Sequence, residues 1–414
     1  MAGTSSGYGS ESRRSVGRAD RPTGLLRAPL CALITAGCLV LCASALAGPL
    51  TPPVGPVTST PGPESRIALT TANTPGDADS VLRISQPGSY YLTGNLAGEA
   101  GKRCIEIAAN NVTIDLNGFS IIGNATSTGG IIGEDIRSNV RIFNGVVRDI
   151  GNGSGILSTV TSSSGWHVEN VQALSNSQRG IFLPSHSTII NSLATINGQS
   201  GLRVSTGGAI LNCTSHENVG EGIIVSNSSR VESSSVYNNG LTGILGNDGV
   251  LVNNCVATNN DGAGIEVLNG GIITHCVVRS NGADGIKCNS STRIESNTVT
   301  FSGANGISCL GNCVIKANNC ASNGQTVPGA GILVSGTRTR VEDNQCTDND
   351  FGFRVTVSLC FIVRNTAANN TTLNWDIAGS NRCLVVNSAA ATAISGNSGG
   401  TSPGSTDPNA NYTY

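Results

Sequence analysis

The chain has 414 residues, of which 12% are charged and 4% aromatic, with 54 Gly and 43 Asn. So few charged helix formers exclude a large helical bundle or coiled coil, and the 38% hydrophobic content argues against disorder. A formal net charge of −2 excludes the basic footprint of a nucleic-acid-binding protein.

Residues 1–47 have the anatomy of a secretory signal peptide. Arg13, Arg14, Arg18, Arg21 and Arg27 precede an apolar run from Ala28 to Leu46, and Ala45-Leu46-Ala47 predicts cleavage after Ala47. The alternative, a membrane anchor, is weakened by Pro29 and Gly37 within the run. Cleavage would leave 19 basic and 24 acidic side chains, a net charge near −5, and 11 of the 14 Cys. Residues 48–66 are Pro-rich and read as an extended linker.

A repeat dominates the remainder. Gly followed by an apolar residue recurs at Gly155, Gly180, Gly201, Gly222, Gly243, Gly264, Gly285, Gly306, Gly331 and Gly352, with six consecutive intervals of 21 residues. Ile223, Ile244, Ile265, Ile286 and Ile307 follow Gly at once, and a second apolar residue stands two later. That alternation predicts a short strand with one buried face. A second strand centres on Ile210, Val231, Val252, Ile273 and Ile294, followed by a small polar column that includes Ser234, Cys255, Cys276, Asn297 and Asn318. A third strand follows, and an Asn column from Asn176 through Asn197, Asn218, Asn239, Asn260 and Asn281 closes the repeat.

One such coil cannot bury its apolar face, whereas coils stacked in register build a continuous core. The reading is therefore all-β: roughly a dozen coils of about 21 residues and three short strands each, over 67–395, including an N-terminal cap. Each strand would pair in parallel with its copies. Stacked Asn side chains would bond to one another, and Gly and Asn would supply the left-handed turns. Residues 396–414 are a polar tail or cap.

The pattern resembles the right-handed parallel β-helix repeat of the pectin-lyase-like superfamily. Asn73-Thr-Pro-Gly-Asp-Ala-Asp79, Gln86-Pro-Gly-Ser-Tyr-Tyr-Leu-Thr-Gly-Asn95 and Val112-Thr-Ile-Asp-Leu-Asn-Gly118 resemble exported bacterial members more closely. The resemblance implies that catalytic acids, where present, lie on the outer face of the Gly-Ile strand. Glu266, Asp284 and Lys287 fall there on adjacent coils and form the candidate acid–base cluster, with Arg203 as an anion contact. The competing reading of Glu266 and Lys287 is an ordinary cross-strand ion pair. Asp284-Gly285-Ile286 resembles the end of a polygalacturonase motif, but Gly282, Ala283, Ala304 and Asn305 depart from it.

On another face, His216, Tyr237, Thr258 and Arg279 share one outward column, a strip suited to an acidic sugar or simply a solvated face. No CxxC pair or dense Asp cluster points to a metal or cofactor, though calcium stays open because lyases of this fold use it. Cys255/Cys276, Cys288/Cys309 and Cys320/Cys346 would be vertical neighbours and free thiols in the core. The expected protein is a secreted or cell-surface monomer with polysaccharide as its partner and no membrane span after cleavage. It would bind glycan without a complete known catalytic motif. The alternative is a polysaccharide lyase or glycoside hydrolase acting on acidic glycans.

Overall fold

The computed structural model describes residues 66–387 except 159 and 161, together with 394–396 and 408–414. The expected signal peptide and most of the linker lie outside these residues. The described part is built from 43 short strands and no helix. Fifteen strands form one parallel sheet, beginning with Ser80–Ile84 and ending with Ile394–Gly396, and the Gly-Ile strands belong to it. The second and third strands of each coil make up a 28-stranded sheet around the rest of the circumference.

Fifteen coils replace the dozen expected from the repeat. Ten coils carry the recurrent Gly, three lie upstream of them and two downstream, and in the upstream part the inward residues Leu82, Ile105, Ile131, Ile156 and Ile181 are register partners at intervals of 23, 26, 25 and 25 residues. Extra residues at the bends hide the 21-residue period there without disturbing the strands. At ordinary spacing the fifteen strands rise about 67 Å along the stack.

Ile223, Ile244, Ile265, Ile286 and Ile307 stand as successive register partners, each fully buried. Every interval of 21 returns the chain to the same place in the coil. Three bends per coil carry left-handed residues. One column includes His186, Gly207, Ser228 and Gly249; the next includes Asn191, Asn212, Ser233, Asn254 and His275; the third includes Glu217, Asn238 and Asn259. His186 and His275 are thus bend residues, with φ of 55° at both.

Gly207 and Gly249 supply left-handed bends as expected, but the repeated Gly before each Ile is not one of these turn formers. Its column has no positive φ; space is what it supplies. A Cβ at Gly243 would lie 2.6 Å from the Gly264 carbonyl oxygen and 2.7 Å from Asn260 Nδ2. Only Gly lets the strand entrance sit against the Asn column behind it.

That Asn column is a buried ladder. Asn176 Nδ2 donates to Asn197 Oδ1 at 3.0 Å, and the pattern repeats through Asn218, Asn239, Asn260 and Asn281 at 2.9–3.0 Å. Each Oδ1 also accepts the backbone N–H of the Asn one coil before. A second ladder runs Asn297, Asn318, Asn344, Asn365 and Asn411.

The first ladder breaks at Ser302. Its backbone N–H donates onward to Asn323, but among the described residues its buried Oγ has no partner, and no bond crosses to it from Asn281. Ser302→Asn is expected to bridge the gap and raise stability by about 1 kcal/mol, the ordinary value of one buried hydrogen bond. A higher midpoint in thermal or urea unfolding checks this; a lower one would mean that the site cannot hold the longer side chain.

Near residue 411 the order of strands in space departs from their order in sequence. Asn411–Thr413 pairs with Thr366–Ala368 on one side and with Val385–Asn387 on the other, so it is intercalated between them. Trp375 Nε1 donates to Thr413 Oγ1 at 2.8 Å.

Candidate functional site

Lys287 Nζ lies 2.9 Å from Glu266 Oε1, and the two residues are register partners on neighbouring Gly-Ile strands. Asp284 precedes its strand by two residues, and its Oδ1 accepts both the backbone N–H and Nδ2–H of Asn305, at 3.0 and 2.9 Å. Each carboxylate thus has a partner of its own. Arg203 stands in the same column as Glu266 but three coils away, through Ile224 and Leu245. At the ordinary spacing that is about 14 Å, so Arg203 serves a different stretch of the face.

The strip on the third strand is assembled as its spacing requires. His216, Tyr237, Thr258 and Arg279 are successive register partners. His216 and Tyr237 stack with ring centroids 4.6 Å apart and planes 3° from parallel. Thr195 Oγ1 lies 3.1 Å from His216 Nδ1 and fixes the ring from the coil before. Arg279 extends over the Phe301 ring, 4.8 Å from its centroid, and lies two coils beyond Tyr237.

His216 and Tyr237 line an open cleft of about 600 Å³ whose other walls are Asn170, Gln172, Asn191, Asn212, Thr214 and Leu193 with Ser192. Asn170, Asn191 and Asn212 are left-handed bend residues at φ of 50–52°. Turns on successive coils thereby form a wall of amides, which a column of residues on one strand does not reveal. Gln172, Leu193 and Thr214 are register partners along that wall.

Trp166 and Trp375 are buried, at 1% and 0% exposure, so neither offers a surface platform to a sugar. Trp375 instead stacks on Phe353 inside the coil at 4.6 Å. The recurring Arg-x-Glu positions pair with each other: Arg230 Nε with Glu232 at 3.2 Å, and Arg293 Nε with Glu295 at 2.6 Å. Among the described residues, all eleven Cys are free thiols and no three His, Cys, Asp or Glu side chains converge to hold a metal. Cys313, which the vertical pairing missed, brings its Sγ to 3.8 Å from that of Cys288. Burial pushes the Cys104 and Cys383 thiols up to about 12, which keeps them unreactive. Among the described residues no helix is long and apolar enough to cross a membrane.

A family model described as a right-handed β-helix region matches residues 154–293. A sequence comparison with curated proteins finds no match. Among solved structures, the A-module of mannuronan C-5 epimerase AlgE4 from Azotobacter vinelandii gives a TM-score of 0.52 at 17% identity, covering 68% of this chain and 87% of the module. A double mutant of the periplasmic alginate epimerase AlgG gives 0.51 at 15% identity, covering 64% of this chain and 77% of that one. At such identities the likeness is one of fold. With its parallel coils and its 21-residue period the described chain folds as a parallel β-helix, and within it residues 154–293 match the right-handed β-helix region.

Proposed function

We propose that this is an exported glycan-binding protein whose contact surface includes the cleft at His216 and Tyr237. The observation that carries this reading is the lining of that cleft. Neutral amides and hydroxyls from successive coils surround a stacked imidazole and phenol. Amides and hydroxyls exchange hydrogen bonds with sugar hydroxyls, and an aromatic edge and face suit the C–H surface of a pyranose. The repeat offers similar contacts at a regular rise, so weak contacts to a polymer can add. The two epimerases similar in fold are named for mannuronan and alginate, which supports a polysaccharide as the ligand class. The N-terminal sequence pattern supports export.

The purified chain screened on a glycan array is expected to retain at least one polysaccharide, and Tyr237→Ala is expected to weaken that binding about tenfold or more while the fold is kept. No retention on any glycan, or retention untouched by Tyr237→Ala and His216→Ala together, would defeat the reading. The enzymatic alternative, a lyase or hydrolase using Glu266, Asp284 and Lys287, is judged in the same preparation. Release of reducing ends or unsaturated products, abolished in the Glu266→Gln, Asp284→Asn double variant, would put it first.

A further inference from the structure

Three thiols meet at one corner of the core. Cys288 and Cys309 are register partners on neighbouring Gly-Ile strands, and both are buried. Asn312, at φ of 53°, turns the chain at the following bend, and Cys313 enters the same interior from the far side of that corner. Its Sγ comes to 3.8 Å from Cys288 Sγ.

Thiols this close can be packing or the two halves of a bond, and their directions decide which. Cys288 and Cys309 occupy one strand position on successive coils, so their Cα–Cβ bonds run side by side; Cys320 and Cys346 are paired in the same way. A disulfide needs Cβ atoms about 3.8 Å apart and a torsion near 90° about the S–S bond, which side-by-side vectors meet poorly. Cys313 reaches Cys288 from across a bend, so these two side chains converge. Rotation of the side chains, with a small approach of the backbones, brings the sulfur atoms from 3.8 Å to the bonded distance of about 2.05 Å.

We propose that Cys288 and Cys313 form a disulfide as the stack closes, tying one coil to the next. The oxidant is a disulfide, carried by a small thiol or by a thiol oxidase. One thiolate of the pair attacks it, forms a mixed disulfide and releases the first reduced thiol. The other thiolate then attacks the protein sulfur of that mixed disulfide and releases the second. Two S–H bonds are lost and one S–S bond forms; two electrons and two protons leave with the two released thiols. The exchange takes place while the coils are open, because both cysteines are buried once they close. Export from a reducing cytoplasm would supply the compartment, whereas the pairing itself does not depend on the glycan reading. The ring closed by the bond is one coil long, so it restrains the unfolded chain as well as the folded one.

The full chain would be held in glutathione and glutathione disulfide at a urea concentration just below its unfolding midpoint, so that coils open and close. After removal of urea, circular dichroism would report the fold, and free thiols would be alkylated in denaturant before peptides are mapped without reduction. The Cys288 peptide is expected joined to the Cys313 peptide, with Cys255, Cys276, Cys309, Cys320 and Cys346 alkylated. Dithiothreitol is expected to remove the bond at least about tenfold faster in urea than in buffer. Cys309→Ser should keep the linkage and Cys313→Ser should abolish it. Alkylation of both Cys288 and Cys313 in the oxidised wild-type chain, or a Cys288–Cys309 linkage in its place, would overturn the proposal. Because this mixture holds its own oxidant, that failure would count against the pairing alone. Linkage here with free thiols in protein taken from its own cells would support the pairing and count against export.

Discussion

Ile265→Asp is expected to unfold the middle of the stack. The side chain is fully buried, with Ile244 above and Ile286 below it in register. A carboxylate at this place would meet aliphatic neighbours and no cation. Leaving such a charge unpaired costs several kcal/mol, or the group protonates and still loses the packing of the isoleucine. In a stack of coils that touch only their neighbours, the damage should be local: an early transition for the central coils and a later one for the ends. Urea unfolding followed by circular dichroism would show it. A single transition at the wild-type midpoint would mean that Ile265 contributes little to the core.

Asn239→Ala should have the next largest effect. Asn239 Oδ1 accepts from the backbone N–H and Nδ2 of Asn218, at 3.1 and 3.0 Å, and its own Nδ2 donates to Asn260 Oδ1 at 2.9 Å. The same Nδ2 reaches the Ser215 and Tyr237 carbonyls. Alanine would strand the buried Asn218 backbone N–H, take one acceptor from Asn218 Nδ2, leave the Ser215 and Tyr237 carbonyls without this donor and strip a donor from Asn260. Each unsatisfied buried group costs about 1–3 kcal/mol, so a loss of about 3 kcal/mol or more is expected. Asn239→Asp should also destabilise, since it keeps the acceptors but loses the donor toward Asn260. A variant as stable as the wild type would show the ladder to be ornamental.

The parts of the fold legible in sequence are those that the repeat enforces. Ile223 through Ile307, the Asn ladder and the outward column from His216 to Arg279 all follow from a fixed interval, and the structure has them in register. The upstream coils were harder to count because bends absorb residues freely: Ile105 and Ile131 pair as well as Ile244 and Ile265 do, over 26 residues instead of 21. The clefts were only half visible. A column predicts which residues stack above one another, so His216 and Tyr237 could be paired. It does not predict what crosses a bend, so the wall that Asn170 and Asn212 give the cleft is not visible in any column. Nor does it show that Arg179, from the loop before one strand, shares Phe182 with Arg203 of the next coil.

The intercalated strand Asn411–Thr413 bears on how the protein is made. Coils emerging from a ribosome can add one at a time, each docking on the last, and most of this stack fits that order. Val385–Asn387 does not, because its partner in the sheet is made some two dozen residues later and must slot in between it and Thr366–Ala368. Until then Asn365 lacks the side chain that accepts both of its donors. That step of assembly is therefore an insertion and not an addition, and the nascent stack presents an open parallel edge until it is complete. An open edge invites pairing with a second chain, so the interval between synthesis of residue 387 and residue 413 is when crowding on a polysome would do most harm.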